Sequence, residues 1–294
     1  MNKFQDSIEN QLAFNAGKNL FHEGAISSLA FSPETLAAIE RFGEIDITAE
    51  NLLIDYLTGR VLQEFCRVNQ YYSFDKQNRK DLRDIYIDLF SNIRNPENTL
   101  ELTAKIHYEN LKKWLLKANS FAGKMYTPKD ELVEPVACHE YSAELQLMIL
   151  QIDADKIAGP ALDIGCGKQG NLVKHLRGSG IEAYGCDRFA EASPFLTCQD
   201  WFEFDYGKDK WGTITSNLGF SNHFNHNHLR NDGRFVDYAK TYMDILNSLK
   251  IGGSFHYAPG LPFIEKYLDH SKFRVEMQKI GNSGVKSVRI MRLK

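Results

Sequence analysis

The stretch Ala161-Leu162-Asp163-Ile164-Gly165-Cys166-Gly167-Lys168-Gln169-Gly170 constrains this chain more than any other. An apolar strand-like run enters a glycine turn directly, and Asn171-Leu172-Val173 then opens a helical pattern. Glycines let the backbone turn sharply and approach a ligand, while the free N–H groups of the following helix start attract an electronegative group. Such a unit is a nucleotide-type cradle, although G-x-G-x-x-G alone names no cofactor.

The surroundings of this motif read as α/β. Strands are predicted over 161–164, 183–186, 212–216 and 254–258, with helices around 172–176 and 236–249, the alternation of βαβ units on a parallel sheet. Residues 273–280 and 285–293 flank Gly281-Asn282-Ser283-Gly284 and read as a closing hairpin. Residues 1–120 instead show helical spacing. It is clearest in Leu52, Leu53, Tyr56, Leu57, Val61, Leu62, Phe65 and Cys66 behind Thr48 as N-cap, and it recurs over 81–90 and 100–116. The Gly-, Pro- and charge-rich stretch 121–135 reads as a connection or lid, dividing a helical region, 1–130, from an α/β domain, 131–294.

Two acids frame the glycine turn. Asp163 stands two residues before the first glycine, and Asp187 closes the next strand in Ala183-Tyr184-Gly185-Cys186-Asp187. An acid at the second strand's tip can take both ribose hydroxyls, so Asp187 suits NAD as well as adenosylmethionine.

The ordered set LDIGCGKQG, YGCD, Cys198-Gln199-Asp200-Trp201 and Ser248 to Gly253 resembles the motifs of class I S-adenosylmethionine-dependent methyltransferases over residues 142–294. The resemblance implies a Rossmann-like, seven-stranded, mostly parallel sheet with an antiparallel C-terminal hairpin, preceded here by the all-helical N-terminal region. It also implies S-adenosyl-L-methionine as cofactor. Asp163, Gly165, Cys166 and Gly167 would lie at its methionine end, Asp187 at the ribose, and Asp200 with Trp201 at the adenine. Two positions depart from the pattern: Lys168 and Gln169 precede Gly170 where one residue is usual, and Gly212 follows Trp211 where an acid is common.

The tract from Ser216 to His228 follows the fourth strand, at the edge where parallel sheets place substrate. Methyl transfer from a sulfonium is an in-line displacement, and a base is needed only for a protonated oxygen or thiol acceptor. His223 is the candidate base, with Asn217, His256 and Tyr257 as candidate substrate contacts. A polar loop with no chemistry is the competing reading of this tract, and core packing that of Tyr257. His223, His226 and His228 lack an accompanying carboxylate pattern, so no metal is expected. Asn217-Leu218-Gly219-Phe220 also lacks the paired prolines common in methylation of base or glutamine amines.

Net charge is −3, and residues 1–130 hold 16 Lys and Arg against 18 Asp and Glu, so no basic platform attracts nucleic acid globally. The final hairpin is the exception: Lys272, Arg274, Lys279, Lys286, Arg289, Arg292 and Lys294 stand against the single acid Glu276. No apolar run has membrane-spanning length, and the five cysteines form no Cys-x-x-Cys pair, so a cytoplasmic protein with reduced thiols is expected. The leading expectation is a methyltransferase acting on a small molecule, oxygen favoured, with the helical region as substrate cap or packing domain. RNA or protein methylation and noncatalytic cofactor binding are the alternatives.

Overall fold

The computed structural model describes residues 2–25, 29–136, 140–282 and 284–294. The chain forms two compact units, Met1–Cys138 and His139–Lys294. The division thus falls a few residues beyond the expected one at 130.

The first unit is helical: α1 (Asn2–Asn15), α2 (Pro33–Glu40), α3 (Ile47–Val68), α4 (Lys76–Arg94), α5 (Leu100–Ala118) and the single turn α6 (Ala122–Met125). Helix α3 starts earlier than Thr48 predicts, because Asp46 Oδ1 accepts the Ala49 N–H at 2.8 Å and takes the cap. Its buried stripe is Leu53, Ile54, Thr58, Val61, Leu62 and Cys66, while Leu52 faces solvent. Asp75 and Asn78 form a reciprocal capping box that starts α4 ahead of its apolar stripe. Thr99 caps α5 through the Leu102 N–H. Part of the expected connection folds onto this unit, where Val133 N donates to Gly17 O and Asn19 N to Glu131 O.

The second unit contains α7 (Ala143–Leu150), β1 (Ala161–Ile164), α8 (Asn171–Gly178), β2 (Ala183–Asp187), β3 (Leu196–Cys198) and β4 (Trp211–Asn217). It continues with α9 (Phe220–His228), α10 (Phe235–Ser248), β5 (Leu249–Ala258), α11 (Pro262–Glu265), β6 (Phe273–Lys279) and β7 (Lys286–Arg292). One seven-stranded sheet runs in the order β3-β2-β1-β4-β5-β7-β6. β7 pairs antiparallel with both β5 and β6, while the pairs among β1 to β5 are parallel. This is the expected Rossmann-like architecture.

Alternate residues of β1 feed opposite faces. Leu162 and Ile164 pack with Ile214, Phe255 and the α10 residues Tyr242 and Ile245. Ala161 packs with Ala143 and Leu147 of α7 and Leu172 and Val173 of α8. Both faces are covered, so β4 is buried along its whole length and reads as continuous rather than alternating. Each fully buried Leu, Ile or Phe contributes about 1.5–3 kcal/mol relative to exposure.

β3 was not among the expected strands. It has three residues, of which only Leu196 is buried, too short for any periodicity to show. Gly212 has a steric reason to stand where the family often has an acid: a Cβ there would lie 2.6 Å from the Ala158 carbonyl oxygen. Gly170 caps α8 with φ +60°, and a Cβ would meet Leu196 at 2.6 Å.

Candidate cofactor and acceptor site

Between β1 and β4 the strand order reverses, which opens a crevice beyond the strands' carboxyl ends. The glycine loop lies there. Gly165 and Gly167 both have φ +74°, a left-handed conformation that glycine adopts without strain. Gly165 N donates to Cys186 O at 2.8 Å, pinning the loop to the end of β2. Gly167 N donates to Asp187 Oδ2 at 3.3 Å, and Phe189 N to Asp187 Oδ1 at 2.8 Å. Asp187 therefore positions the loop, and its ionised carboxylate has lone pairs left for hydroxyl donors. Burial raises its pKa above the usual carboxylate value.

Asp163 is 3% exposed. Its Oδ1 accepts the Thr215 hydroxyl at 2.8 Å across the β1–β4 pairing, whereas Oδ2 has no hydrogen-bond partner. Burial pushes this carboxyl up to about 7; the Thr215 hydrogen bond opposes the shift and the nearby Asp187 charge adds to it. Cys166 turns its side chain into the core, and its Sγ would lie 2.7 Å from a Cβ at Gly185. Only its backbone belongs to the loop.

Asp200 opens a turn, with Oδ1 accepting the Phe202 N–H at 3.0 Å. Trp201 follows and brings its ring within 3.7 Å of where a Cβ on Gly165 would stand. The same ring meets the His223 imidazole edge-to-face, centroids 4.9 Å apart. Trp201 thus links the glycine loop to the tract after β4.

That tract is the helix α9 and not a polar loop. Ser216 Oγ donates to Ile164 O at 2.8 Å and accepts the Phe220 N–H at 3.1 Å, tying the helix start to the end of β1. Phe220 and Phe224 bury one face, while Asn222 donates to Leu218 O just ahead of the helix and Asn227 to His223 O within it. Leu218 has φ +53°, a costly left-handed conformation for a branched side chain, immediately after Asn217. Asn217 is 9% exposed, and neither its amide oxygen nor its amide nitrogen has a hydrogen-bond partner.

His223 is buried and held well below the usual imidazole pKa, first by burial and then by the charges of Arg188 and His226. The three histidines diverge: His226 lies by Arg230, and His228 stacks on Phe263 with centroids 3.8 Å apart. Among the described residues no cluster could hold a metal ion.

Tyr257 lies in the core, its hydroxyl donating to Glu265 Oε1 at 2.7 Å and meeting the Tyr242 hydroxyl at 3.0 Å. That is the packing alternative weighed for it from sequence. His256 pairs with Ser254 Oγ at 2.9 Å, and burial, then the Arg289 charge, lowers its pKa to about 4.

Sequence reasoning missed Glu140, whose Oε1 accepts the Lys168 N–H at 2.6 Å and lies 3.2 Å from a Cβ built on Gly167. Nothing in its sequence neighbourhood marks it. Thr215 was missed too, although its place near the end of the fourth strand was a usable signal.

The unpartnered Asp163 Oδ2, the positive-φ glycines and the acid at the tip of β2 fit an adenosyl amino acid. No family model matches the chain, and no curated protein matches it. Among solved structures the chain is similar to an rRNA methylase from Streptococcus thermophilus, 14% identical over 51% of this chain and 95% of that one, TM-score 0.35. It is also similar to a SAM-dependent methyltransferase from Bacteroides fragilis in complex with S-adenosyl-L-homocysteine, 13% identical over 51% and 81%, TM-score 0.35. A third is the 1,6-didemethyltoxoflavin-N1-methyltransferase of Burkholderia thailandensis, 13% identical over 46% and 71%, TM-score 0.30. The architecture of the second unit stands on its own strand order and register, and these likenesses add nothing on substrate.

Proposed function

We propose that this chain is an S-adenosylmethionine-dependent methyltransferase acting on a small-molecule acceptor, with oxygen the favoured acceptor atom. The observation that carries the reading is the pair of acids, Asp163 with a free carboxylate oxygen and Asp187 on the loop amide, bracketing two positive-φ glycines at the switch point. When bound, the cofactor supplies an electrophilic methyl group on a sulfonium. Asp163 and the backbone of residues 165–167 would hold its methionine end, Asp187 the ribose, and Asp200 with Trp201 the adenine.

Asn217 has an unpartnered amide NH2 to donate and an unpartnered carbonyl oxygen to accept, and can orient an acceptor hydroxyl. His223 is the candidate base: its lowered pKa keeps the imidazole neutral, the form that can take a proton, down to acidic pH. The helical region is the proposed substrate-cap or packing domain, and the proposed location is the cytoplasm.

The basic hairpin argues for a small acceptor over RNA. Arg292 is engaged by Asp209 and the Asn247 carbonyl, Arg289 by Glu276, and Lys272 by Asp269, so three of its seven cations have structural partners. Among the described residues no helix is long and apolar enough to cross a membrane.

Incubation with methyl-tritiated cofactor and cell extract, followed by fractionation, tests the acceptor class. Label in the small-molecule fraction, reduced at least tenfold in His223→Ala, is expected. Label confined to RNA or protein would overturn the small-molecule reading.

A further inference from the structure

The helical unit contains a second feature that the cofactor site does not use, a partly open cavity of about 230 Å³ lined by α1 to α5 and the segments joining them. Protein interiors are close-packed, with few voids larger than a water molecule. An apolar cavity of roughly 150 Å³ accepts benzene, so this one has room for a fused bicyclic ring. Its wall is aliphatic and aromatic, with Leu53, Val61, Phe90, Leu111 and Leu115 among the lining side chains.

The charged groups at the wall are engaged elsewhere. Glu64 pairs with Arg67 at 2.6 Å, and the Lys18 ammonium lies 3.5 Å from the centroid of the Phe14 ring. A charged ligand would gain no counterion inside and would lose its hydration.

Two buried polar atoms without partners belong to wall residues of α1 and α5. Asn15 donates its amide N–H to the Tyr108 hydroxyl at 2.9 Å, which leaves its Oδ1 buried with no partner. His107 is 6% exposed, and its Nδ1 also has none. The His107 ring is fixed between Tyr86 and Tyr108, with centroids 5.1 and 5.2 Å away, so the nitrogen is held in place. Asn15 Oδ1 can only accept, and burial lowers the His107 pKa to about 3, so the ring is neutral and its Nδ1 accepts in the tautomer that carries the proton on Nε2.

We propose that this cavity is a binding site for an uncharged, hydroxyl-bearing aromatic compound of about two fused rings. The ring body fills the apolar wall and the hydroxyl donates to Asn15 Oδ1 or His107 Nδ1. Its binding can be measured without the cofactor, because the lining lies wholly within residues 4–133.

The probe is 2-naphthol, titrated calorimetrically into the full chain without cofactor, alongside naphthalene and 2-naphthoate. Saturable one-to-one binding of 2-naphthol is expected. Affinity should fall about tenfold for naphthalene, the effect of losing one buried hydrogen bond, and by more for the charged naphthoate. Val61→Phe on α3 and Leu111→Trp on α5, which fill the cavity from different helices, should each abolish binding. His107→Phe and Asn15→Leu should each weaken 2-naphthol binding, and the double variant should bring it down to the affinity of naphthalene. Circular dichroism of each variant checks its fold, and the two filling variants are independent should one fail to fold. No saturable binding, equal affinity for naphthol and naphthalene, or binding unchanged in the folded filling variants would overturn the proposal.

Discussion

Asp163 concentrates the tension in this site. A carboxyl 3% exposed, with one oxygen bonded to Thr215 and the other unpartnered, is an expensive group to ionise. Its folded pKa of about 7 lies above the unfolded value near 3.9. The stability it contributes is therefore fully present below about pH 4 and is lost as pH rises through 7. Asp163→Asn keeps an acceptor for Thr215 and removes the charge. Its stabilising effect should grow by roughly 2 kcal/mol between pH 5 and pH 8, read from urea unfolding at the two values. The same substitution should weaken adenosylmethionine binding, the usual trade between stability and function. A pH-independent effect would mean that this carboxyl does not titrate in the range its burial implies.

At the scale of elements, what the sequence disclosed and what it hid have separate physical causes. β1, β2, β4 and the closing hairpin were legible because short apolar runs end at glycines or acids that need those places. β3 escaped because three residues carry no period. Helix α9 escaped because its polarity masked the four-residue spacing of Phe220 with Phe224 and of His223 with Asn227; its hydrogen-bonding side chains are satisfied within the helix or by adjoining backbone. The acid pair and the glycines were readable as a site, whereas Glu140 and the orphaned amide of Asn217 became visible only in three dimensions. Gly212 has a local cause, since the Ala158 and Gly159 carbonyls leave no room for a side chain. Gly212→Asp should therefore destabilise the α/β unit by roughly 2–4 kcal/mol, through crowding and a buried charge. Thermal melting of the variant checks this, and an unchanged midpoint would show that the strand can shift to admit the group.

For the whole molecule, one chain joins two units with different chemistry: an all-helical one around an apolar cavity, and an α/β one around a polar cradle. Composition could separate the units but not assign their ligands, because a helical stripe reads the same whether it encloses a core or a chamber. The central claim is that the cradle takes the adenosyl cofactor. It is tested most directly by isothermal titration of the full chain with S-adenosylmethionine, S-adenosylhomocysteine and NAD, repeated on Asp187→Ala. One-to-one binding of both adenosyl ligands, at least tenfold weaker in the variant and accompanied by no NAD binding, is expected. Preferential NAD binding, or no binding of either adenosyl ligand to the folded protein, would contradict the assignment and leave a Rossmann-like scaffold with a different occupant.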